Sequence, residues 1–496
     1  MSETTVTAPI DAPPARVGTL ATLRRRVDQG LFPRAEGAGW RLSRGEAGAL
    51  LVAFLLFATV LCLLRLGTLA YTTVWAEDGP VYLQGALGQG FTHSLFTPYA
   101  GYLVFFPRLI AAVAALFPIG DAAAVVGILS ALTAAVSGVC VWFGSAGHVR
   151  NPWLRGSLAI ATALAATAGQ ETLDSAAYAP WFMLAGSFWL LFLRPRTWWG
   201  AGLAGVFLLL TGLSTPGVWF FAAVALLRIF SVGRERRAYP VLAGWAIGAL
   251  VQIPVILGQE QGSPLWSRHI WTALVQRVID GGVFGQRLGG GLWDQGGWKF
   301  LILLCVVVAI GLVLGLRRGP ISARWFVAIA IPTSFLMFIV EVYQRTVGPN
   351  IFWSPGVSGG VSSRYVVVPA MIFLSALVVT VDGAFRERPG ERAGADATTG
   401  AGSWLANWRV WPVAGAVALM LLAVGVSFDM EHEARGGPSW HEGLRTAANK
   451  CVAKAEPTAG IPTTPEPWGI VVPCTEVESW ATVPAPASTA SSGTAG

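Results

Sequence analysis

Apolar runs of about 18 residues or more, the length that crosses a bilayer core as a helix, recur along this chain between Ala47 and Ser427. Polar breaks rich in Arg, Gly or Pro separate them. The pattern predicts about eleven helical crossings, near residues 46–66, 121–143, 155–170, 178–193, 198–213, 217–230, 239–257, 299–316, 324–341, 365–382 and 409–427. Helices are expected because lipid offers no partner for open backbone groups. Two stretches need separate treatment. Gly101–Pro118 is apolar but short, and counting it as a crossing would put nearly every later Arg cluster outside, so it is expected to lie at the outer interface. Ser214, Thr215, Pro216 and Gly217 interrupt another apolar stretch with two basic flanks, which predicts two short spans meeting outside.

Composition agrees with that reading. Of 496 residues, 54% are hydrophobic and 12% charged, with a mean hydropathy of +0.58; a soluble domain carries roughly twice that share of charge. The expected fold class is an all-α polytopic membrane protein. No apolar core with a small-residue cleavage site stands near the N-terminus, which argues against a cleaved signal peptide. The net charge of +7 resides in short Arg clusters at the ends of apolar runs, such as Arg24–Arg26 and Arg234–Arg237. That placement orients a protein in a bilayer and argues against nucleic acid as a partner. It puts the N-terminus inside and the C-terminus outside, and the Ala, Gly and Arg usage suggests a high-GC bacterium, so a bacterial cytoplasmic membrane is the expected location. Four regions are expected: a disordered inner tail over 1–45, the membrane domain over 46–430, a small outer cap over 431–483 and a disordered end over 484–496. Cys451 and Cys474 fall in the outer cap, where an oxidising compartment favours a disulfide.

The candidate chemistry starts at "VWAEDGPVYLQG", where Glu77 and Asp78 stand side by side in the first outer loop. A structural role exists for one of them: Asp78 precedes Gly79 and Pro80, a sequence suited to capping a helix from about Pro80 to Leu87. Only one of two neighbouring carboxylates can serve that cap. Partial desolvation at a membrane boundary raises a carboxyl pKa and makes it a usable general base. Glu171, Asp174 and Tyr178 fall in the next outer turn, Glu260, Arg268 and His269 in a later one, and Glu341, Tyr343, Arg345 and Arg364 in the next. Acids of early loops thus face cations of late loops. The Gly-rich stretch from Asp280 to Phe300 lacks a nucleotide-site context and reads as a loop.

One span, an outer loop with an acidic pair ("WAEDGPVYLQGAL"), an apolar interfacial helix ("YAGYLVFFPRLIAAVAALFP") and a second span ("DAAAVVGILSALTAAVSGVCVWFG") follow in order. This order resembles the start of the GT-C superfamily of membrane glycosyltransferases, which includes protein O-mannosyltransferases, aminoarabinose transferases and mycobacterial arabinofuranosyltransferases. The short paired spans around "TGLSTPG" are similar to its fifth and sixth helices, and the likeness covers roughly residues 46–230. The resemblance implies a GT-C-like bundle that moves a sugar from a polyprenyl-phosphate donor to a glycan, lipid or protein acceptor on the outer face, with inversion at the anomeric carbon. It implies that Asp78 acts as base and Glu77 supports acceptor or metal binding. By side and charge, Arg345, Arg364, His269 and Arg268 become candidates for the donor phosphate. Glu171, Asp174, Tyr178, Tyr343 and Tyr99 become acceptor or supporting residues. A divalent cation, Mg or Mn, held by Glu77 or Asp174 is the one cofactor it suggests, and some members work without one. This chain reads Glu then Asp before Gly-Pro where several relatives read two Asp or Asp then Glu, and it lacks the Lys-Pro-Pro pattern of the lipid A enzymes.

Two other function classes compete. A transporter or flippase of a lipid-linked saccharide would show internal repeats and ionisable residues on broken helices near the bilayer midplane. A non-catalytic scaffold would make the acidic pair dispensable.

Overall fold

The computed structural model describes residues 19–35, 43–231, 235–258, 270–345, 364–386, 410–428, 439–454 and 457–481. These are mostly helical, and a helix covers the core of each of the eleven stretches marked out by hydropathy. Six helical segments are long and apolar enough to cross a membrane: Gly45–Leu66, Ile119–Gly147, Arg236–Leu257, Ile270–Arg318, Ile321–Tyr343 and Arg364–Phe385. The protein is therefore an all-α membrane protein in its main body. The shorter apolar helices include Trp198–Gly212, Pro216–Ser231 and Val410–Val426.

The bundle has two chemically different ends. Asp28, Arg194, Arg228, His148, Asp382 and Arg386 gather at one, through Arg194 to Asp28, Arg228 to Glu235 and Arg386 to Asp382. Residues 74–79, 175–178, 213–217 and Arg364 gather at the other. Between them, helices pack closely where glycine permits it. In Trp198–Gly212 and Tyr239–Leu257, a Cβ added at Gly212 would come within 2.7 Å of Gly248; small residues let helix backbones approach in this way.

Helix Pro152–Leu164 stops early for a visible reason. Ala165 takes a left-handed conformation (φ 33°), and the buried Arg65 donates to the carbonyls of Leu164, Ala165 and Ala168 and to that of Ser427. Its guanidinium thus supplies donors that the orphan carbonyls at a helix end require.

Three expectations change. The inner tail over 1–45 is not uniformly disordered, because Thr19–Leu31 is a helix. Val27, Leu31 and Phe32 are buried in the main core, and Arg228 lies over the Phe32 ring at 4.6 Å. The Gly-rich stretch is not a loop but the start of helix Gly281–Arg318, broken at Gly285 (φ 72°) and Gly297 (φ 51°). Gly285 sits against Ala166 and Ser427, which leaves no room for a side chain at that break. Asp78 makes no side-chain cap to the wide turn Gly79–Leu83 that follows it.

The apolar segment Gly101–Pro118 holds helix Phe105–Ala114, about 15 Å long by helix rise and too short to cross a bilayer. Its first turn docks on the break at 213–217: Phe105 N–H donates to Leu213 O at 3.2 Å and Phe106 N–H to the Ser214 hydroxyl at 2.9 Å. The C-terminal cap consists of helix Trp440–Lys454, an antiparallel ribbon pairing Thr458–Pro462 with Gly469–Pro473, and helix Cys474–Ala481. Cys451 and Cys474 are joined by a disulfide. Trp440, Leu444, Ile461, Ile470 and Val477 share one buried cluster with Val74, Leu83 and Ile110. The cap and the first loop therefore share a single core.

Candidate active site

The acidic pair is set by that shared core. Ala76 N–H donates to Thr464 O at 2.6 Å, and Thr464 N–H returns to Val74 O at 3.0 Å. Ala76 is held at φ 28°, a left-handed conformation that costs a side-chain-bearing residue roughly 1–2 kcal/mol. The 3₁₀ turn Ala76–Asp78 that follows gives the two carboxylates different surroundings.

Asp78 turns inward and is fully buried. Its oxygens accept from Ala176 N–H and Ala177 N–H, each at 2.8 Å, and from the Ser175 hydroxyl at 3.2 Å. It caps a turn, as its residue type allows, but the turn is Ala176–Tyr178, and the bonded residues Ser175, Ala176 and Ala177 lie 97 to 99 residues away along the chain. Burial pushes its carboxyl up to about 7, against the pull of the two backbone donors and with a further push from the Glu77 charge.

Glu77 is only partly buried. Among the described residues its hydrogen-bond partner is Tyr178, whose hydroxyl donates to Oε2 at 3.1 Å. The same hydroxyl accepts from Arg364, whose guanidinium lies over the Tyr178 ring at 4.8 Å and the Tyr365 ring at 5.0 Å. An acid from the first loop and a cation from a late helix are thereby joined through one phenol. Nearby, Arg108 donates to Val81 O at 3.2 Å and lies 5.4 Å over the Tyr82 ring, which meets Tyr99 edge-on at 5.9 Å. Burial and the neighbouring negative groups push the Tyr82 phenol well above its ordinary range, so it stays protonated and able to donate.

Not every expected residue joins this group. Asp174 is buried and accepts from the Thr73 hydroxyl. Glu171 lies on the short helix Gln170–Leu173 and Arg345 closes helix Ile321–Arg345, while the side chains of both lie outside the described residues. Glu341 and Tyr343 lie on that same helix, Tyr343 being exposed. Glu260, Arg268 and His269 lie outside the described residues. Ser175, Thr73, Tyr82 and Arg108 were not marked by sequence reasoning. No spacing signal could have found Ser175 or Thr73, because each meets its carboxylate across about a hundred residues of chain.

Chemically, the arrangement offers an accessible carboxylate at Glu77, a phenol and a guanidinium beside it, and a second carboxyl sealed behind at Asp78. The assignment of the base to Asp78 meets a steric difficulty: a base must touch the proton it takes, and Asp78 has no exposed surface. Glu77 meets that requirement. For a cation, Glu77 and Asp174 are each engaged by a hydroxyl, and no group of three His, Cys, Asp or Glu occurs among the described residues. In comparisons with family models, curated proteins and solved structures, nothing matches this chain.

Proposed function

We propose that the protein is an inverting glycosyltransferase that moves a sugar from a polyprenyl-phosphate donor to a hydroxyl acceptor on the outer face of a bacterial cytoplasmic membrane. The supporting observation is the bonded series Glu77, Tyr178, Arg364, set at the end of the bundle that carries the acidic loop.

In this reading the Glu77 carboxylate takes the proton of the acceptor hydroxyl. The acceptor oxygen forms a bond to the anomeric carbon as the bond from that carbon to the phosphate oxygen breaks, on the opposite face of the sugar. Polyprenyl phosphate leaves with its charge facing the Arg364 guanidinium, whose planar fork suits two phosphate oxygens. Tyr178 fixes the distance between base and cation. Asp78 holds the turn Ala176–Tyr178 and so holds Tyr178. No metal step is used.

The test is transfer of labelled sugar from a synthetic polyprenyl-phosphate donor by the full chain in lipid nanodiscs. Glu77→Gln is expected to cut turnover by about 10²–10⁴-fold while donor binding persists, and full activity in that variant would remove the proposal. A second reading, translocation of a lipid-linked saccharide, draws support from one feature, the buried Asp280 before the broken helix Gly281–Arg318. Movement of a labelled lipid-linked saccharide between leaflets, with Glu77→Gln silent, would favour it.

A further inference from the structure

A cavity of about 360 Å³ lies on the flank of the bundle, between helices Gly281–Arg318, Arg364–Phe385 and Val410–Val426. Its volume falls in the range of ligand sites, roughly 300–1,000 Å³, and the chemistry above does not use it. Val308, Leu312, Leu377, Val381 and Leu419 give it apolar walls, and Arg318 stands at one end. The cavity is reachable from outside the bundle. Leu314 and Gly311, which both line it, are exposed, Leu314 by 48%.

Depth and charge say what fits. On helix Arg364–Phe385 the lining runs from Leu374 to Phe385, about 16 Å by helix rise. That is about half of a hydrocarbon core roughly 30 Å thick, the depth of one leaflet. Gly319 packs beside Gly383, so Arg318 lies at the Phe385 end of the cavity. Arg317 adjoins it, and Arg324 donates to Leu316 O at 2.8 Å and to Arg317 O at 3.2 Å. No acid stands between Arg317 and Arg324 in the chain. Among the described residues none of these three cations forms an ion pair, whereas Arg386 at the same end has Asp382. Unmatched Arg side chains at the mouth of an apolar slot complement an anionic headgroup carried on a hydrocarbon chain. The donor of the proposed transfer is a separate case, because its phosphate belongs at Arg364, about 30 Å from Phe385 by helix rise.

We propose that this cavity binds one anionic phospholipid from the leaflet at the Arg-rich end of the bundle. One acyl chain lies along Leu377 and Val381, and the phosphate meets Arg317 and Arg318. The site stands whether or not the protein is a transferase.

The experiment titrates the full chain, stripped of lipid in detergent, with phosphatidylglycerol or with phosphatidylcholine of the same acyl chains, and counts bound lipid by native mass spectrometry. One phosphatidylglycerol is expected to bind about tenfold or more tightly than phosphatidylcholine, since each Arg near a headgroup contributes about 1 kcal/mol. Changing Arg317→Gln and Arg318→Gln together should erase that preference. Gly311→Leu tests the slot itself. A Cβ at Gly311 meets nothing within 4 Å, and Leu is a better helix former than Gly, so this variant should unfold no earlier than the unaltered protein in the absence of lipid. By narrowing the cavity it should weaken both lipids about tenfold. Equal binding of the two lipids by the unaltered protein, full preference in the double Arg variant, or undiminished binding in Gly311→Leu overturns the site. Polyprenyl phosphate displacing phosphatidylglycerol one for one would give the cavity to that lipid instead. A dimer that Gly311→Leu dissociates would give it to a second copy of the chain, and either result overturns the proposal.

Discussion

Asp78 and Asp382 solve the same geometric problem at opposite ends of the bundle. Each is a buried carboxylate that accepts from two consecutive backbone N–H groups near the start of a helix: Ala176 and Ala177 for Asp78, Arg150 and Asn151 for Asp382. Their charge environments differ. Asp382 also accepts from Arg386 at 2.7 Å, so its charge is matched inside its own cluster. Asp78 has Ser175 and a second acid, Glu77, beside it, and its carboxyl is pushed up to about 7. One end is an electrostatically closed structural joint. The other sets a carboxyl that keeps its proton up to about 7 beside an accessible carboxylate and a guanidinium, and perturbed groups of this kind cluster where a ligand is handled.

Substitutions at the two ends should separate stability from activity. The largest effect on rate is expected at Glu77→Gln, a loss of about 10²–10⁴-fold for a general base, with the unfolding temperature unchanged. Asp382→Ala should act in the opposite way, costing about 3–5 kcal/mol as the loss of one partner of a buried pair does, with transfer per folded molecule retained. Thermal unfolding in detergent measured beside initial rates would show both, and a rate loss at Asp382 matching that at Glu77 would break the contrast. Removing the Cys451–Cys474 bond, whose residues are 23 apart, should destabilise the cap by on the order of 3 kcal/mol. Because the cap holds Ala76, activity should fall on reduction before the bundle unfolds. Tyr178→Phe should cost about tenfold in rate, near 1.4 kcal/mol, with a smaller change in donor binding.

A further effect is in pH dependence. Asp78 holds its proton in the folded protein up to about 7, against an ordinary value of 3.8. Between those values the folded state binds a proton that the unfolded state has lost, so stability from this group is complete below about 4 and is lost as pH rises through about 7. Asp78→Asn should flatten that slope of unfolding temperature against pH. An unchanged slope would mean that Asp78 is ionised throughout.

Much of the architecture was legible because lipid leaves few choices. Apolar length marked the helices, and the Gly and Pro residues at 213–217 marked a break that the structure uses to seat helix Phe105–Ala114. The Gly-rich stretch was misread because glycine lowers helix propensity locally. Close packing of Gly282 against Ala370 favours the helix there, while Gly285 and Gly297 are the points where it breaks. The acidic pair was legible as a candidate, whereas the division of labour within it was not. Spacing gave Asp78 to the helix that follows it, while the fold gives it to Ser175, Ala176 and Ala177, 97 to 99 residues onward.

The sequence by itself determined the class of the protein, the rough positions of its helices and the presence of two carboxylates where few charges occur, because hydrophobicity and charge are properties of residues in order. Only the tertiary structure decided which carboxylate is sealed and which is open, and that Arg364 reaches Glu77 through Tyr178. Burial and hydrogen-bond partnership depend on which distant segments pack together, and a linear pattern carries no record of that.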